Sequence, residues 1–368
     1  NIMHALKRFG TAFGGYKMME NYPVPECGPD DIILEIKAAA ICGADMKHWG
    51  VDNGYDDTNI TPDQQQSVRG HEFAGEIVKV GENVKDWHIG QRVVSDNSAH
   101  VCGVCPACEQ GDFLCCEHKV NLGLDNNTWG GGFSKYCKVP GEILAIHKHA
   151  IWEIPEGIKY EEACVLDPIC NAYKAVAQQS HLIPGQDVVV FGTGPLGLFS
   201  VQVAKLMGAV NIVMVGLDDD VKVRFGVAKE LGATHCVNGS KEDVVARCTE
   251  ICGRDNLGLV IECSGANIAL KQAIEMTRPN AEIVRVGMGF KPLEFSINDI
   301  TAWNKSIIGH MAYDSTSWRN CIRLLQSGQI KVQPMITHRL GLSQWQEGFD
   351  KMAKKEAIKV IFHYDYED

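Results

Sequence analysis

Residues 188–197, VVVFGTGPLG, decide the fold, because an apolar strand there runs into a glycine-rich turn and then into an amphipathic helix. The turn has the spacing G-x-G-x-x-G. Gly192 permits the tight turn, Gly194 lets a pyrophosphate approach the backbone, and Gly197 allows the helix to pack closely on the strand. The N-terminus of the helix then faces the anion. In this strand-to-helix context the pattern predicts a dinucleotide-binding loop formed by Gly192, Thr193, Gly194, Pro195, Leu196 and Gly197.

Apolar strands alternate with helical stretches on both sides of this loop, and one such helix covers residues 198–207. This spacing is typical of βαβ units and predicts a doubly wound parallel sheet of the Rossmann type over residues 166–299. The fold class is therefore α/β. The predicted strands are 187–191, 211–215, 259–262 and 283–286.

The chain on either side of the α/β segment has a different pattern. Up to about residue 150, short β-rich runs such as 32–36 and 75–80 are broken by glycine, proline and asparagine, which indicates an antiparallel β domain. The tail from about residue 300 mixes helix and strand. We therefore expect residues 1–165 and 300–368 to form one domain, with the nucleotide domain inserted between them.

Three consecutive acids, Asp218, Asp219 and Asp220, follow the second predicted strand of the α/β segment. A carboxylate at this place accepts hydrogen bonds from the ribose of NAD, and its charge repels the 2′-phosphate of NADP. These acids favour NAD as cofactor, through Asp218 and Asp219. Arg224 could instead serve NADP, and the acid run also fits a solvated turn.

Four cysteines, Cys102, Cys105, Cys108 and Cys116, lie in one short segment. Four thiolates close a tetrahedral zinc shell and leave no position for a substrate. The segment therefore predicts a structural zinc site that stabilises a loop too small to bury a core. A redox dithiol is the alternative, and Cys115 competes for the fourth place.

A second set of donor residues is spread along the chain. Cys42 precedes Asp45, Gly70 is followed by His71 and Glu72, and Asp167 comes much later. Thiolate, imidazole and carboxylate together can hold zinc and leave a position for water or substrate. Such an ion makes a bound hydroxyl more acidic. On spacing alone, a buried cysteine and a structural histidine are the simpler interpretation.

Bulk composition narrows the class of protein. The chain has 368 residues, more than one core usually supports, and 45% of them are hydrophobic. A formal net charge of −11 disfavours nucleic acid as a partner. No apolar run is long enough to cross a bilayer, and residues 1–13 lack the apolar core of a secretory signal. Fifteen cysteines in such a chain fit reduced thiols and metal ligation in the cytoplasm.

Taken together, these segments resemble the zinc-containing medium-chain alcohol dehydrogenase family, and within it the sorbitol, threonine and related polyol dehydrogenases. The resemblance covers close to the whole chain and implies a GroES-like antiparallel β catalytic domain beside the Rossmann domain. The segments that carry it, in the family's order, are 42–45 (CGAD), 70–75 (GHEFAG), 102–116, 130–136 (GGGFSKY), 167–168 (DP), 192–197 and 262–265 (ECSG).

The resemblance also implies roles for individual residues. Cys42 and His71 would ligate a catalytic zinc ion, with Glu72 as a ligand or in close outer contact. Asp167 stands where these relatives usually have glutamate before proline, and because aspartate is one methylene shorter, a water-bridged contact is an alternative to direct ligation. Asp45 matches a residue that orients the ligands. Its alternative role is to cap a turn or helix.

Two positions depart from the family pattern. Ala44 replaces the serine or threonine whose hydroxyl relays the alcohol proton, and Lys47 stands where histidine is frequent, with His48 one residue later. The proton would then leave through water, Glu72, Lys47 or His48. The residues that match the strand end at the nicotinamide are Val286, Gly287 and Met288.

The expected activity is reversible hydride transfer from a secondary alcohol of a polyol or sugar alcohol to NAD, or alternatively NADP, giving a ketose. An amino-alcohol dehydrogenase of the threonine type is the first alternative. A zinc-free reductase or a non-catalytic binding protein is the second, and the intact Cys42, His71 and Glu72 speak against it. The resemblance implies a homodimer or homotetramer that acts on a small molecule and binds neither nucleic acid nor membrane.

Overall fold

The computed structural model describes residues 1–10, 15–47, 49, 66–125 and 128–368. They form two compact units. The first comprises Asn1–Asp167, Asp314–Thr316 and Ile336–Asp368, and the second comprises Pro168–Tyr313 and Ser317–Met335. None of the helices within these described ranges is long and apolar enough to cross a membrane.

The predicted return of the chain to the first unit near residue 300 is too early. A strand at Ser306–Gly309 extends the parallel sheet by pairing with the strand at Glu282–Arg285, so residues after 300 continue the second unit. The tail joins the sheet of the first unit only with the strands Ile336–Gly341 and Lys359–His363. The division into these two units places the later boundary further along the chain than predicted.

The first unit is built on a seven-stranded sheet in the order β16-β17-β3-β4-β5-β9, with β8 also paired to β3. All of these pairs are antiparallel except the parallel pair of β16 and β17. Two small antiparallel sheets, β1-β2 and β6-β7, complete the unit. The strands are β1 (Ile2–Arg8), β2 (Tyr16–Pro23), β3 (Ile32–Ala40), β4 (Glu72–Val80), β5 (Arg92–Ser95), β6 (Ser98–His100), β7 (Val120–Asn121), β8 (Tyr136–Val139), β9 (Ile151–Glu153), β16 (Ile336–Gly341) and β17 (Lys359–His363).

Aromatic side chains form the centre of this unit. The ring of Phe133 lies 5.4 Å from that of Phe362 and 6.2 Å from that of Phe349, both at nearly perpendicular angles. Edge-to-face packing of this kind adds to the burial of apolar area. The helices that begin in this unit are α1 (Gly43–Met46), α2 (Pro106–Glu109), α3 (Gly141–Ile146), α4 (Tyr160–Ala163), α5 (Leu166–Tyr173), which contains the boundary, α11 (Ser315–Gln326), most of which belongs to the second unit, and α12 (Trp345–Ala353).

The second unit has a fully parallel six-stranded sheet in the order β12-β11-β10-β13-β14-β15. This is the doubly wound order of dinucleotide-binding domains, and it confirms the predicted α/β class. The strands are β10 (Val188–Phe191), β11 (Ile212–Gly216), β12 (His235–Asn238), β13 (Leu259–Glu262), β14 (Glu282–Arg285) and β15 (Ser306–Gly309). The helices are α6 (Pro195–Leu206), α7 (Arg224–Leu231), α8 (Val244–Cys252), α9 (Asn267–Met276) and α10 (Asn298–Ala302).

Valine and isoleucine fill the strands of this sheet because both of its faces are buried. Val189, Val213, Val260 and Ile283 belong to one apolar core and are fully buried. The helix predicted over 198–207 begins three residues earlier, at Pro195. Proline suits that first position because its fixed φ is helical and its missing N–H would have had no partner there.

Candidate active site

Cys42 follows β3 and is the N-cap residue of α1. Asp45 ends the first turn of this short helix, and its Oδ2 accepts a hydrogen bond from the Cys42 amide at 2.9 Å. Tyr16 donates to the Asp45 carbonyl at 2.6 Å. These bonds fix the backbone that carries the thiol. Asp45 therefore has the capping role that the sequence left as an alternative. Its other oxygen, Oδ1, lies near the imidazole of His71.

Glu72 is the first residue of β4, and His71 directly precedes it. The preceding Gly70 has φ +94°, and a Cβ there would meet the ring and backbone of Phe133 at 2.7 Å. Only glycine fits this left-handed, crowded position. Within a regular strand, the side chains of successive residues point to opposite faces. His71 and Glu72 reach the same site because the turn at Gly70 comes directly before them.

The donor atoms of Cys42, His71 and Glu72 lie within 4.8 Å of one another. His71 Nδ1 lies 3.7 Å from Asp45 Oδ1, which leaves Nε2 as the nitrogen for a metal. In the described part of the chain, His71 Nδ1, Glu72 Oε1 and Asp45 Oδ1 are buried without a hydrogen-bond partner. Buried polar atoms without partners are costly, and a cation among them removes that cost for the donors it binds.

Burial governs the protonation of this group. It raises the pKa of the Cys42 thiol, with a further increase from the charge of Glu72. It also raises the pKa of Glu72 to about 7, although the ammonium of Lys359 opposes the shift and the charge of Asp167 adds to it. A bound dication would stabilise the thiolate and carboxylate forms that burial disfavours. The donor set therefore fits a borderline metal such as zinc.

Lys359 is a functional residue that the sequence analysis missed. Its ammonium forms an ion pair with Glu72 Oε2 and donates to the Ile41 carbonyl at 3.0 Å, and both charged side chains are 1% exposed. Only Glu72 Oε1 is thus left for a metal. The available signal was a lysine directly before three apolar residues in β17, because a fully buried lysine requires a partner.

Asp167 does not belong to the group of three donors. Its Oδ2 accepts a hydrogen bond from Asn97 Nδ2 at 3.0 Å. The sequence expectation placed Asp167 on the metal directly or through water. The structure gives one oxygen of this carboxylate a protein partner, and its contact with a metal stays a prediction.

Of the residues considered for the proton route, Ala44 and Lys47 lie in and after α1, and both are half-buried. His48 lies outside the described residues.

The four predicted cysteines of the second metal site are brought together between β6 and β7. Their sulfur atoms lie within 4.8 Å of one another, and exposed Cys115 is not among them. Backbone amides point at the sulfurs, from Cys105 to Cys102 Sγ at 3.3 Å and from Cys102 to Cys116 Sγ at 3.4 Å. Bonds from the Val104 amide and other donors lower the pKa of Cys102 to about 6. All fifteen cysteines are free thiols, as reduced metal ligands must be.

The glycine-rich loop has the predicted geometry. Gly192 has φ +97°, and a Cβ there would meet the Ser264 amide nitrogen at 2.9 Å. A Cβ at Gly197 would lie 1.7 Å from the Gly192 carbonyl oxygen. Gly194 is the N-cap of α6, and the buried Thr193 precedes it. Pro195 and Leu196 form the first turn, so the amides that can meet a phosphate come from this loop.

The acids after β11 are arranged differently from the expectation. Asp218 and Asp219 are exposed, and Asp218 Oδ1 accepts from Asn238 Nδ2 at 2.7 Å. Asp220 is 3% exposed, and its Oδ2 lies 2.8 Å from the position of a Cβ at Gly216, the last residue of β11. The Asp220 carboxylate therefore fills the space in which a side chain of residue 216 would lie. The sequence analysis assigned the ribose contact to its two neighbours.

Arg224 begins α7 and is 8% exposed. Burial lowers the pKa of its guanidinium, and the charge of Asp220 opposes that shift. A guanidinium in this position faces an acid of its own chain. The role of Arg224 in the NADP alternative stays a prediction.

Val286, Gly287 and Met288 follow β14. The amides of Val286 and Gly287 donate to the Glu262 carbonyl at 2.8 and 2.9 Å, and the Gly287 carbonyl accepts from Arg285 Nε at 3.1 Å. A ligand would therefore meet the Val286 carbonyl oxygen or the Met288 backbone. The Glu262 carboxylate is fully buried and accepts from the Ser264 amide at 2.7 Å and from Arg285 Nε at 3.2 Å. Glu262 thus holds this strand end to the neighbouring loop.

A three-donor metal site in a β unit and a dinucleotide loop in an α/β unit define, as a class, the metal- and dinucleotide-dependent dehydrogenases. The comparisons with known proteins agree. Residues 28–149 match the family model described as alcohol dehydrogenase GroES-like domain, and residues 195–327 match zinc-binding dehydrogenase. The chain belongs to the zinc-type alcohol dehydrogenase family, whose members are oxidoreductases.

The chain is 77% identical to the zinc-type alcohol dehydrogenase-like protein YdjL of Escherichia coli (strain K12), over all of both chains. It is 30% identical to sorbitol dehydrogenase of Halalkalibacterium halodurans, over 98% of each. It is 31% identical to L-threonine 3-dehydrogenase of Rhizobium rhizogenes, over 99% of each. The solved structure of 2R,3R-butanediol dehydrogenase from Bacillus subtilis matches with a TM-score of 0.84 at 28% identity, covering 99% of this chain and all of that one.

Proposed function

We propose that the protein oxidises a secondary alcohol of a polyol or sugar alcohol to the ketone, reversibly, with NAD as the hydride acceptor. The observation that carries the proposal is the convergence of Cys42, His71 and Glu72 within 4.8 Å, where Oε1 of Glu72 is buried without a hydrogen-bond partner among the described residues. Three donors leave one tetrahedral position for substrate, as a catalytic zinc site requires.

Cys42 Sγ, His71 Nε2 and Glu72 Oε1 would hold the zinc ion. When bound, zinc supplies Lewis acidity that makes an alcohol hydroxyl easier to deprotonate, and the nicotinamide accepts the hydride. The carboxylate of Asp45 lies 3.7 Å from His71 Nδ1, and this charge favours the ring orientation that turns Nε2 to the metal. Lys359 holds the other oxygen of Glu72 and limits its motion. The cluster of Cys102, Cys105, Cys108 and Cys116 would bind a structural zinc ion.

NAD is the favoured cofactor because of Asp220. Its carboxylate lies at the end of β11, beside Thr193 of the glycine-rich loop, where the adenosine ribose binds in doubly wound folds. A carboxylate there accepts hydrogen bonds from the ribose hydroxyls and repels a 2′-phosphate. The burial of Arg224 against this acid supports the same choice.

The substrate class rests on the relatives. A sorbitol dehydrogenase and a butanediol dehydrogenase act on secondary alcohols, and this chain is similar to both along nearly its whole length. An amino alcohol of the threonine type is the second candidate, because the similarity to L-threonine 3-dehydrogenase is as high. An amino acid substrate needs an acid for its ammonium and a cation for its carboxylate, and the sequence identifies no such pair.

A substrate panel tests the proposal. The zinc-loaded protein is incubated with sorbitol, arabitol, galactitol, 2,3-butanediol and L-threonine, each with NAD and with NADP, and reduced cofactor is followed by absorbance. We expect turnover with a polyol or diol and NAD. Turnover with L-threonine alone would overturn the substrate class, and turnover with NADP alone would overturn the cofactor. Cys42→Ser is the control that must abolish activity.

Light scattering of the purified protein tests the expected homodimer or homotetramer. A monomeric mass would contradict this part of the proposal.

A further inference from the structure

Two loops at the carboxyl ends of neighbouring strands pack against each other in the second unit. One follows β13 and contains Gly265, and the other follows β14 and contains Gly287 and Gly289. A Cβ at Gly287 would lie 2.2 Å from the Gly265 amide nitrogen, and a Cβ at Gly289 would lie 2.3 Å from the Gly265 carbonyl oxygen. The loops therefore meet backbone to backbone, and their glycines have no side chains that could hold this contact.

The side chain of Arg285, the last residue of β14, joins the two loops. Its Nε donates to the Gly287 carbonyl at 3.1 Å, and its Nη2 donates to the Gly265 carbonyl, also at 3.1 Å. Nε also lies 3.2 Å from Oε2 of Glu262, a fully buried carboxylate at the end of β13. A guanidinium suits these contacts because its donors form a rigid, planar fork, which fixes the groups that it binds relative to one another.

These bonds set the direction of the peptide groups after β14. The Gly287 amide donates to the Glu262 carbonyl at 2.9 Å, and the peptide bond that precedes it is trans. Because the N–H and C=O of a trans peptide point in opposite directions, the Val286 carbonyl points away from β13. The next carbonyl, that of Gly287, is bound to Arg285. Val286 therefore presents the hydrogen-bond acceptor at this strand end, and Arg285 holds the neighbouring carbonyl away from it.

The position of the loops in the sheet indicates which part of a dinucleotide they meet. A doubly wound sheet has two mononucleotide-binding halves, and a dinucleotide lies across the carboxyl ends of both. With the adenosine ribose at Asp220 after β11, the second nucleotide lies over the half formed by β13, β14 and β15. The glycine-rich loop is beside this half, since a Cβ at Gly192 would meet the Ser264 amide nitrogen at 2.9 Å. The nicotinamide is thus expected near Gly265 and Val286.

We propose that Arg285 is a positioning residue for the nicotinamide, which holds the Gly265 and Gly287 carbonyls so that the Val286 carbonyl accepts from the carboxamide. The inference rests on the proposed function. A primary carboxamide has an NH₂ group that donates to a carbonyl oxygen, whereas a methyl ketone of similar shape has no donor. Arg285 therefore favours the binding of cofactors that carry the carboxamide over that of analogues without its NH₂ group.

Calorimetric titration with two reduced cofactors tests the inference without a substrate. One is NADH, and the other is its 3-acetylpyridine analogue, in which a methyl ketone replaces the carboxamide. The key variant is Arg285→Lys, because lysine keeps a charge for Glu262 but has no planar fork for two carbonyls. We expect its Kd for NADH to rise by about 3-fold to 10-fold, as for the loss of one hydrogen bond, and its Kd for the analogue to equal that of the wild type.

A double variant covers the case in which Arg285→Lys folds poorly. Arg285→Met with Glu262→Gln removes both charges, so that no unpaired carboxylate stays buried, and it should show the same selective loss. Arg278→Lys is the matched control, because Arg278 also donates to a backbone carbonyl, that of Pro279 at 2.8 Å. It lies beside Leu257 before β13, at the opposite end of the strands, so its binding of both cofactors should equal that of the wild type.

The two cofactors separate a positioning role from a merely structural one. Equal weakening of NADH and the analogue would overturn the proposal, because Arg285 would then only support the loops. So would a Kd for NADH that is unchanged in both Arg285→Lys and the double variant. Selective loss of NADH affinity while every alcohol in the substrate panel fails would contradict the proposed substrates and support this inference. A wild type that binds neither cofactor would overturn the proposed dehydrogenase and this inference with it.

Discussion

The ammonium of Lys359 is ion-paired with the carboxylate of Glu72 in the interior of the first unit, where both side chains are 1% exposed. Two charges in such a place persist only as a pair, because each alone would carry a large desolvation cost. The contact joins β17 to β4 and leaves one oxygen of Glu72 for the metal.

Lys359→Met should therefore destabilise the protein strongly. It leaves Glu72 buried with no cation, and breaking such a pair costs about 3–5 kcal/mol in the free energy of unfolding. Urea unfolding of protein freed of the catalytic metal ion measures the change, because a bound ion would compensate the charge of Glu72. Adding Glu72→Gln should recover part of the loss, because the uncompensated charge is then removed. A drop no larger than that of Lys351→Met, which breaks an exposed pair with Glu356, would contradict this expectation.

Metal content separates the two sites. The two donor groups predict about two zinc ions per chain in the wild type, one closed and one open. Cys42→Ser should lose the catalytic ion alone and keep a folded chain, whereas Cys108→Ser should lose the other ion and unfold at a lower temperature. Elemental analysis after gel filtration gives the count. One zinc ion per wild-type chain would contradict the catalytic site and indicate a protein that zinc only stabilises.

Local spacing made part of this site predictable from sequence. The four cysteines and the glycine-rich loop each lie in one short segment, so the chain cannot fold locally without bringing them together. The contacts that were missed join distant positions. Lys359 and Glu72 are 287 residues apart, and Asn97 and Asp167 are 70 apart. Their pairing depends on strand order and register, which no local pattern encodes.

The assignment of the ribose contact to Asp218 and Asp219 stays a prediction, and the structure shows how the three acids of this segment are arranged. The expected acids, Asp218 and Asp219, point to solvent because a short turn intervenes after β11. That turn brings Asp220 back to the strand end at Gly216, where a side chain of residue 216 itself would not fit. Such a turn sets the direction of the chain after the strand. The composition of the segment does not predict that direction.

Asp220→Ser should weaken the use of NAD and leave NADP less disfavoured. Loss of a hydrogen bond to a charged acceptor costs about 2 kcal/mol, which is roughly 30-fold in kcat/KM for NAD. Steady-state kinetics with both cofactors measures the ratio. The matched control is Asp218→Ser, whose carboxylate is 55% exposed and which should change the ratio little. A larger change of this ratio in Asp218→Ser than in Asp220→Ser would indicate that Asp218, as first predicted, contacts the ribose.

Glu262 should make stability depend on pH. Burial raises its pKa above the ordinary value of 4.5, although Ser264, Arg285 and the Gly265 amide favour the ionised form. The folded protein therefore holds this proton more tightly than the unfolded chain. Its contribution to the free energy of unfolding is complete below pH 4.5 and is lost as the pH rises through the folded-state pKa.

Two variants shift that dependence in opposite directions. Glu262→Gln has no proton to release at this position. Its free energy of unfolding should therefore increase relative to that of the wild type as the pH rises above 4.5. Ser264→Ala removes a donor that favours the carboxylate, so the loss of stability should extend to higher pH than in the wild type. Urea unfolding at a series of pH values measures both. Parallel curves for Glu262→Gln and the wild type would show that Glu262 is ionised alike in the folded and unfolded chains, against the burial argument.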